Sequence, residues 1–317
     1  MSNRRDFVRN SLLASAGIAG LGQVTSLYGA PLRNVSPSDK IRVALIGGRN
    51  MGWSNLETFL KFPQVECVSI CDIDDEWLYK RAADTEKATG KKPPQLVKDW
   101  RRVTDNPDVD AVIIATPDHW HCLQAIAAME AGKDVYCEKP LANSIAECDA
   151  MVRAARKHGR VVQTGQWQRS DPHWQDAVSF IHSGKLGRIR TVKVWAYMIW
   201  KKTLPVQPDG PVPAGVDYDM WLGPARHRPF NPNRFHYNFR YFWDYAGGLM
   251  SDWGVHLLDY ALLGMKADLP KAVYTAGGKF AYPGDAMETP DTLLASYVYD
   301  EFTISWDHAC GIKDGPY

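Results

Sequence analysis

The sequence predicts an α/β fold in two unlike halves. The first is a doubly wound parallel sheet, and the second is an α+β half with an open, mostly antiparallel sheet. Three observations carry this. From residue 41 short apolar runs alternate with helix-period segments, after about residue 185 the strands have no helices between them, and much of the aromatic content falls after residue 165.

Five apolar runs read as strands of the first sheet: 41–46, interrupted only by Arg42, then 65–71, 111–115, 134–137 and 161–164. Helices fit between them. The best marked is 144–158, which opens on Ser144 and Glu147 as a capping box, carries Lys157 and His158 in its last turn, and stops at Gly159. Strand, helix and strand in this order imply right-handed crossovers and a parallel sheet. In the second half, 189–200 and 272–280 read as strands, and 292–299 with 302–307 as a hairpin turned at Asp300-Glu301. Seven prolines between Thr203 and Pro232 mark a long irregular excursion. The expected division is a leader over 1–30, a nucleotide-binding domain over 31–170, and a substrate-binding and oligomerisation domain over 171–317. The last sheet looks unfinished at Tyr317, so the chain is expected to be a fragment.

The leader sets the expected compartment. Arg4-Arg5 precedes a Gly/Ala/Ser-rich apolar stretch with no acidic side chain between Arg9 and Ser38, and it resembles a twin-arginine export signal. A periplasmic or otherwise exported protein is therefore expected, with no stable membrane span. The formal charge of +1, from 37 basic and 36 acidic residues, excludes the basic footprint of a nucleic-acid binder. The six cysteines form no Cys-x-x-Cys pair. Cys67 and Cys71 share one strand, about 13 Å apart by strand rise, so free thiols are expected.

The first strand leads into Gly47-Gly48-Arg49-Asn50-Met51-Gly52. A dinucleotide turn wants glycine at the first, third and sixth places, and here Arg49 stands third, where it either crowds the phosphates or pairs with them. Asp72 ends the second strand. A carboxylate there accepts the ribose hydroxyls of NAD and repels the extra phosphate of NADP, so NAD is the expected cofactor.

Three further strings are informative together: Thr116-Pro117-Asp118-His119-Trp120-His121, Glu138-Lys139-Pro140, and the run from Gly247 through Asp252, His256 and Asp259. With Tyr218 to Ala225 they resemble the Gfo/Idh/MocA oxidoreductases, from about Lys40 to at least Met265. The resemblance implies acid/base work for His256, substrate holding for Asp252, and a place beside the cofactor for Lys139, with a Lys-Pro bond that is often cis. Gly47, Arg49, Gly52, Asp72, Thr116, Pro117, His121, Glu138 and Lys139 are the expected cofactor contacts. Arg169 and Trp167, after the fifth strand, join Asp252 as expected substrate contacts.

The residue types suit the chemistry. Oxidising an alcohol needs an acceptor for the hydroxyl proton, which a neutral histidine provides, and a donor to the developing alkoxide, which a lysine provides. On a helix, Asp252, His256 and Asp259 share one face. That spacing, with His119 and His121, also suits zinc or manganese, but no cysteine supports a metal and none is expected. The expected function is an exported NAD-dependent dehydrogenase acting on a hydroxyl or keto group of a sugar, glycoside or cyclitol, and by analogy a homo-oligomer. The alternatives are a redox-neutral NAD-dependent glycosidase and a non-catalytic sugar-binding protein on the same scaffold. Lys139 favours the dehydrogenase, because glycosidase members of the family carry another residue in that string.

Overall fold

The computed structural model describes residues 39–92 and 94–313, so the leader lies outside the described residues. Six parallel strands form the first sheet: β1 (Ile41–Ile46), β2 (Val65–Cys71), β3 (Gln95–Val97), β4 (Ala111–Ile114), β5 (Asp134–Cys137) and β6 (Val162–Thr164), in the order β3-β2-β1-β4-β5-β6. The order reverses between β1 and β4. In such sheets that is the crevice where ligands bind, beyond the carboxyl ends of the strands. Those ends are held level: the amides of Gly47, Ala115, Glu138 and Gly165 donate to Cys71, Ile46, Ile114 and Cys137 of neighbouring strands. β3 was not legible, since three residues carry no pattern.

The helices on this sheet are α1 (Asn50–Leu60), α2 (Asp75–Thr89), α3 (Asp118–Glu130) and α4 (Ile145–His158). α4 has the expected reciprocal cap. Ser144 Oγ accepts from the Glu147 amide and donates to Glu147 Oε2, and Gly159 closes the helix with φ +60°.

The second half contains α5 (Pro172–His182), β7 (Thr191–Met198), α6 (Tyr218–Leu222), α7 (Val255–Met265), β8 (Ala272–Gly278), β9 (Thr292–Val298) and β10 (Thr303–Cys310), so two helices do fall between β7 and β8, contrary to the expectation of strands without intervening helices. Its sheet runs β7-β10-β9-β8. The β9–β10 hairpin and the β8–β9 pair are antiparallel, while β7 pairs with β10 in parallel. Trp306, Tyr241 and Tyr245 are fully buried in an aromatic core under this sheet. Among the described residues no helix is long and apolar enough to cross a membrane.

The two halves meet along the carboxyl edge of the first sheet. Trp120 Nε1 donates to the carbonyls of Met220 (3.0 Å) and Trp221 (3.1 Å), and His119 Nε2 lies 3.0 Å from the Trp221 carbonyl. Further along, the Asp217 amide donates to Ile73 O and the Asp75 amide to Gly215 O, while His236 Nε2 sits 2.9 Å from Asp74 Oδ2. Gly223 is what allows Trp120 to fit. Its φ is +50°, and a Cβ there would lie 2.0 Å from Trp120 Cζ2. Gly223→Ala should therefore cost about 2–4 kcal/mol, from backbone strain plus overpacking. Denaturant unfolding checks this, and an unchanged midpoint would mean that Trp120 can move aside freely.

Candidate active site

A cleft of about 470 Å³ opens at the β1/β4 reversal and is walled by both halves. Its first end is the glycine turn. Gly47 has φ +91°, and a Cβ there would meet the Ala115 backbone at 2.7 Å, while a Cβ on Gly52 would lie 1.9 Å from the Gly47 carbonyl. Both glycines are thus required by close backbone approach. α1 then begins with no side-chain cap and no acidic residue in its first turn, so its first amides are left for an anion.

Arg49, in the third place, lines this end of the cleft. Its guanidinium stacks 4.8 Å from the Trp77 ring, and Nη1 is buried with no partner among the described residues. Asp72 lines the cleft with Oδ2 accepting from the Gly48 amide (2.7 Å) and Oδ1 from the Asp74 amide (3.0 Å), which leaves further lone pairs on both oxygens. Burial pushes its carboxyl up to about 6, against those two amide bonds. A glycine cradle, open helix amides and a carboxylate at the end of β2 fit a dinucleotide.

The other end of the cleft carries the reactive side chains. Thr116, Pro117, Glu138, Lys139, Trp167 and His256 all line it. The Lys139-Pro140 bond is cis. Lys139 Nζ donates to Asp252 Oδ1 (2.6 Å) and to the Asp252 carbonyl (3.0 Å). Glu138 is taken up by Asn55 Nδ2 (2.8 Å) and the Lys139 amide (3.1 Å). His256 Nδ1 is buried without a partner among the described residues, and the Trp167 ring stands edge-on 6.5 Å away. Burial, and then the charge of Lys139, lowers His256 to about 4, so it is neutral at physiological pH.

Three expected contacts lie elsewhere. Asp252 is not on the cleft wall, because its carboxylate is buried behind Lys139 and Arg240, whose Nε lies 3.3 Å from Oδ1. Burial alone would raise Asp252, but Arg240 and Lys139 outweigh it and hold the carboxyl below its ordinary range. Arg169 is drawn off by Asp259 in a two-pronged pair at 2.6 Å each, outside the cleft wall. His121 is buried between the carbonyls of Pro140 (2.7 Å) and Thr116 (2.8 Å), where it braces the two loops. Asp259, His119 and His121 are thus all engaged, and among the described residues no three metal-type side chains converge.

Four residues escaped sequence reasoning. Asp118, His236 and Arg240 line the cleft, and Trp120 both lines it and ties the halves together. Asp118 and Trp120 stood inside a quoted string, but only the fold shows which way they face. Arg240 lies in a 3-10 segment, His236–Tyr241, which has no periodicity to read. A π-helical turn at Met250–Gly254 ahead of α7 was also unforeseen, and it alters the register between Asp252 and His256.

Residues 41–166 match the model described as "Oxidoreductase family, NAD-binding Rossmann fold", and residues 165–287 match its "C-terminal alpha/beta domain". The chain belongs to the Gfo/Idh/MocA family of oxidoreductases. It is 34% identical over 153 residues to levoglucosan dehydrogenase of Pseudarthrobacter phenanthrenivorans, covering 47% of this chain and 39% of that protein. It is 32% identical over 139 residues to Glycosyl hydrolase family 109 protein 1 of Akkermansia muciniphila, covering 42% and 29%. A solved levoglucosan dehydrogenase in complex with NADH shares the fold, with a TM-score of 0.65 at 23% identity over 86% of this chain and 68% of that one. The chain spans less than two thirds of the length of the curated relatives it matches.

Asp118 gives a test of the site's electrostatics. It is buried, and burial pushes its carboxyl to about 8, with Asp252 adding to the rise and Arg240 and Lys139 opposing it. Because the folded value lies above the ordinary 3.8 of the unfolded chain, the contribution of Asp118 to stability is fully present below 3.8 and is lost as pH rises toward 8. Asp118→Asn should flatten the fall of the unfolding midpoint across that window. Parallel curves for variant and wild type would mean that Asp118 is ionised throughout.

Proposed function

We propose that this chain carries the cofactor and substrate sites of an NAD-dependent oxidoreductase acting on a hydroxyl or keto group of a sugar, glycoside or cyclitol. Its Arg4-Arg5 leader would export it. The observation that supports the reading is the meeting of Lys139 and His256, one from each half, in the cleft that begins at the Gly47 turn and Asp72.

When bound, NAD supplies a hydride acceptor in its nicotinamide ring. His256, uncharged at neutral pH, takes the proton of the substrate hydroxyl. Lys139 donates to the same oxygen as negative charge grows on it. Asp252 fixes the direction of Lys139 through two bonds, and Trp167, half exposed on the cleft wall, offers an aromatic face to a sugar ring.

Lys139→Ala and His256→Ala should each lower turnover by about 10² or more while thermal stability changes little. A His256→Ala enzyme with full activity would remove the histidine from the chemistry.

Similarity to a glycosyl hydrolase family 109 protein supports a second reading, in which a sugar is oxidised only transiently and its aglycone is eliminated. An aryl glycoside separates the two. Net NADH with the glycoside intact is expected here, whereas released aglycone without net NADH would establish the hydrolase.

A further inference from the structure

The carboxylate behind Lys139 has two cations on it, and the second has no part in the reaction as described so far. Asp252 Oδ1 accepts from Lys139 Nζ at 2.6 Å and lies 3.3 Å from Arg240 Nε. Arg240 is held independently of Lys139: its Nη1 donates to the Tyr237 carbonyl (2.9 Å), and its guanidinium lies 4.8 Å from the rings of both Tyr237 and Phe239. We propose that Arg240 is a positioning residue that frees Lys139 for the substrate by keeping a counter-charge on Asp252.

This role for Arg240 rests on the active-site reading above. To donate to a reacting oxygen, Lys139 must loosen its hold on Asp252. A buried carboxylate left bare is strongly penalised, so Lys139 alone would stay locked in its pair. With Arg240 already fixed on the same oxygen, Asp252 remains compensated wherever the ammonium points. The other titratable groups around this pair do not supply that charge. Asp118 is an acid held largely protonated by burial, and His256 is neutral. The arrangement also ties the chemistry to the second half, since Arg240 and Asp252 both come from it while Lys139 comes from the end of β5.

The test is a double-mutant cycle on the full chain. Arg240→Gln should lower kcat by about tenfold to a hundredfold, leave the KM for NAD within about twofold, and be largely rescued by Arg240→Lys. In an Asp252→Asn background the same Arg240→Gln change should cost less than about twofold, because residues acting as one unit are not additive. Two outcomes overturn the proposal: losses that multiply in the double variant, or an unchanged kcat with a raised KM for NAD, which would make Arg240 a cofactor contact. If Arg240→Gln does not fold, Arg240→Met, which keeps the length and packing of the side chain without its charge, and its Asp252→Asn double complete the cycle. If the wild type turns over no sugar, the proposed function falls, and the cycle read by denaturant unfolding still reports whether Arg240 acts through Asp252. Additive unfolding losses would then overturn the proposal by themselves.

Discussion

The two halves of this protein converge on one buried carboxylate. Asp252, from the turn ahead of α7, holds Lys139 from the end of β5 and Arg240 from the 3-10 segment between them. Stripping such a buried carboxylate of both cations would strand its charge away from water, whereas either cation alone leaves it compensated. The relative placement of the halves is therefore coupled to the same contact that aims the lysine. His256 follows in the first turn of α7, just beyond the π-helical turn that carries Asp252.

That contact works only because the halves are already in register along the sheet edge. Trp120 and His119 grip the backbone of α6, and His236 meets Asp74 just past the end of β2. These are mostly side-chain to backbone bonds, which place a chain segment without demanding a particular side chain on it. The result is a cleft whose first end joins backbone amides and glycines to Asp72 and Arg49, and whose second end carries Lys139 and His256.

Much of this could be read in the sequence, and what could not has physical reasons. The parallel strands were visible because buried strands are continuous apolar runs, and α4 because its cap obeys a local rule at Ser144 and Glu147. The glycine turn and Asp72 were visible because the backbone geometry there admits few residues. Lys139 and His256 were found through strings resembling a family. What residue types alone do not show is direction. Arg169 is a good ligand type at the expected edge, and its guanidinium is paired with Asp259. His121 follows a binding loop but points inward to its carbonyls. Asp252 faces two cations instead of the cleft. Arg240 had no signal at all, since a 3-10 segment inside an aromatic run has neither the period of a helix nor that of a strand.

Lys139, Asp252 and Arg240 matter to function only if the cleft holds NAD beside a sugar. The direct measurement is to denature the purified protein, identify the nucleotide that comes off, and determine its redox state after prior incubation with candidate sugars. NAD is expected, converted to NADH by at least one sugar or cyclitol. Release of NADP, or of NAD whose redox state no sugar alters while added NAD also stays oxidised, would contradict it.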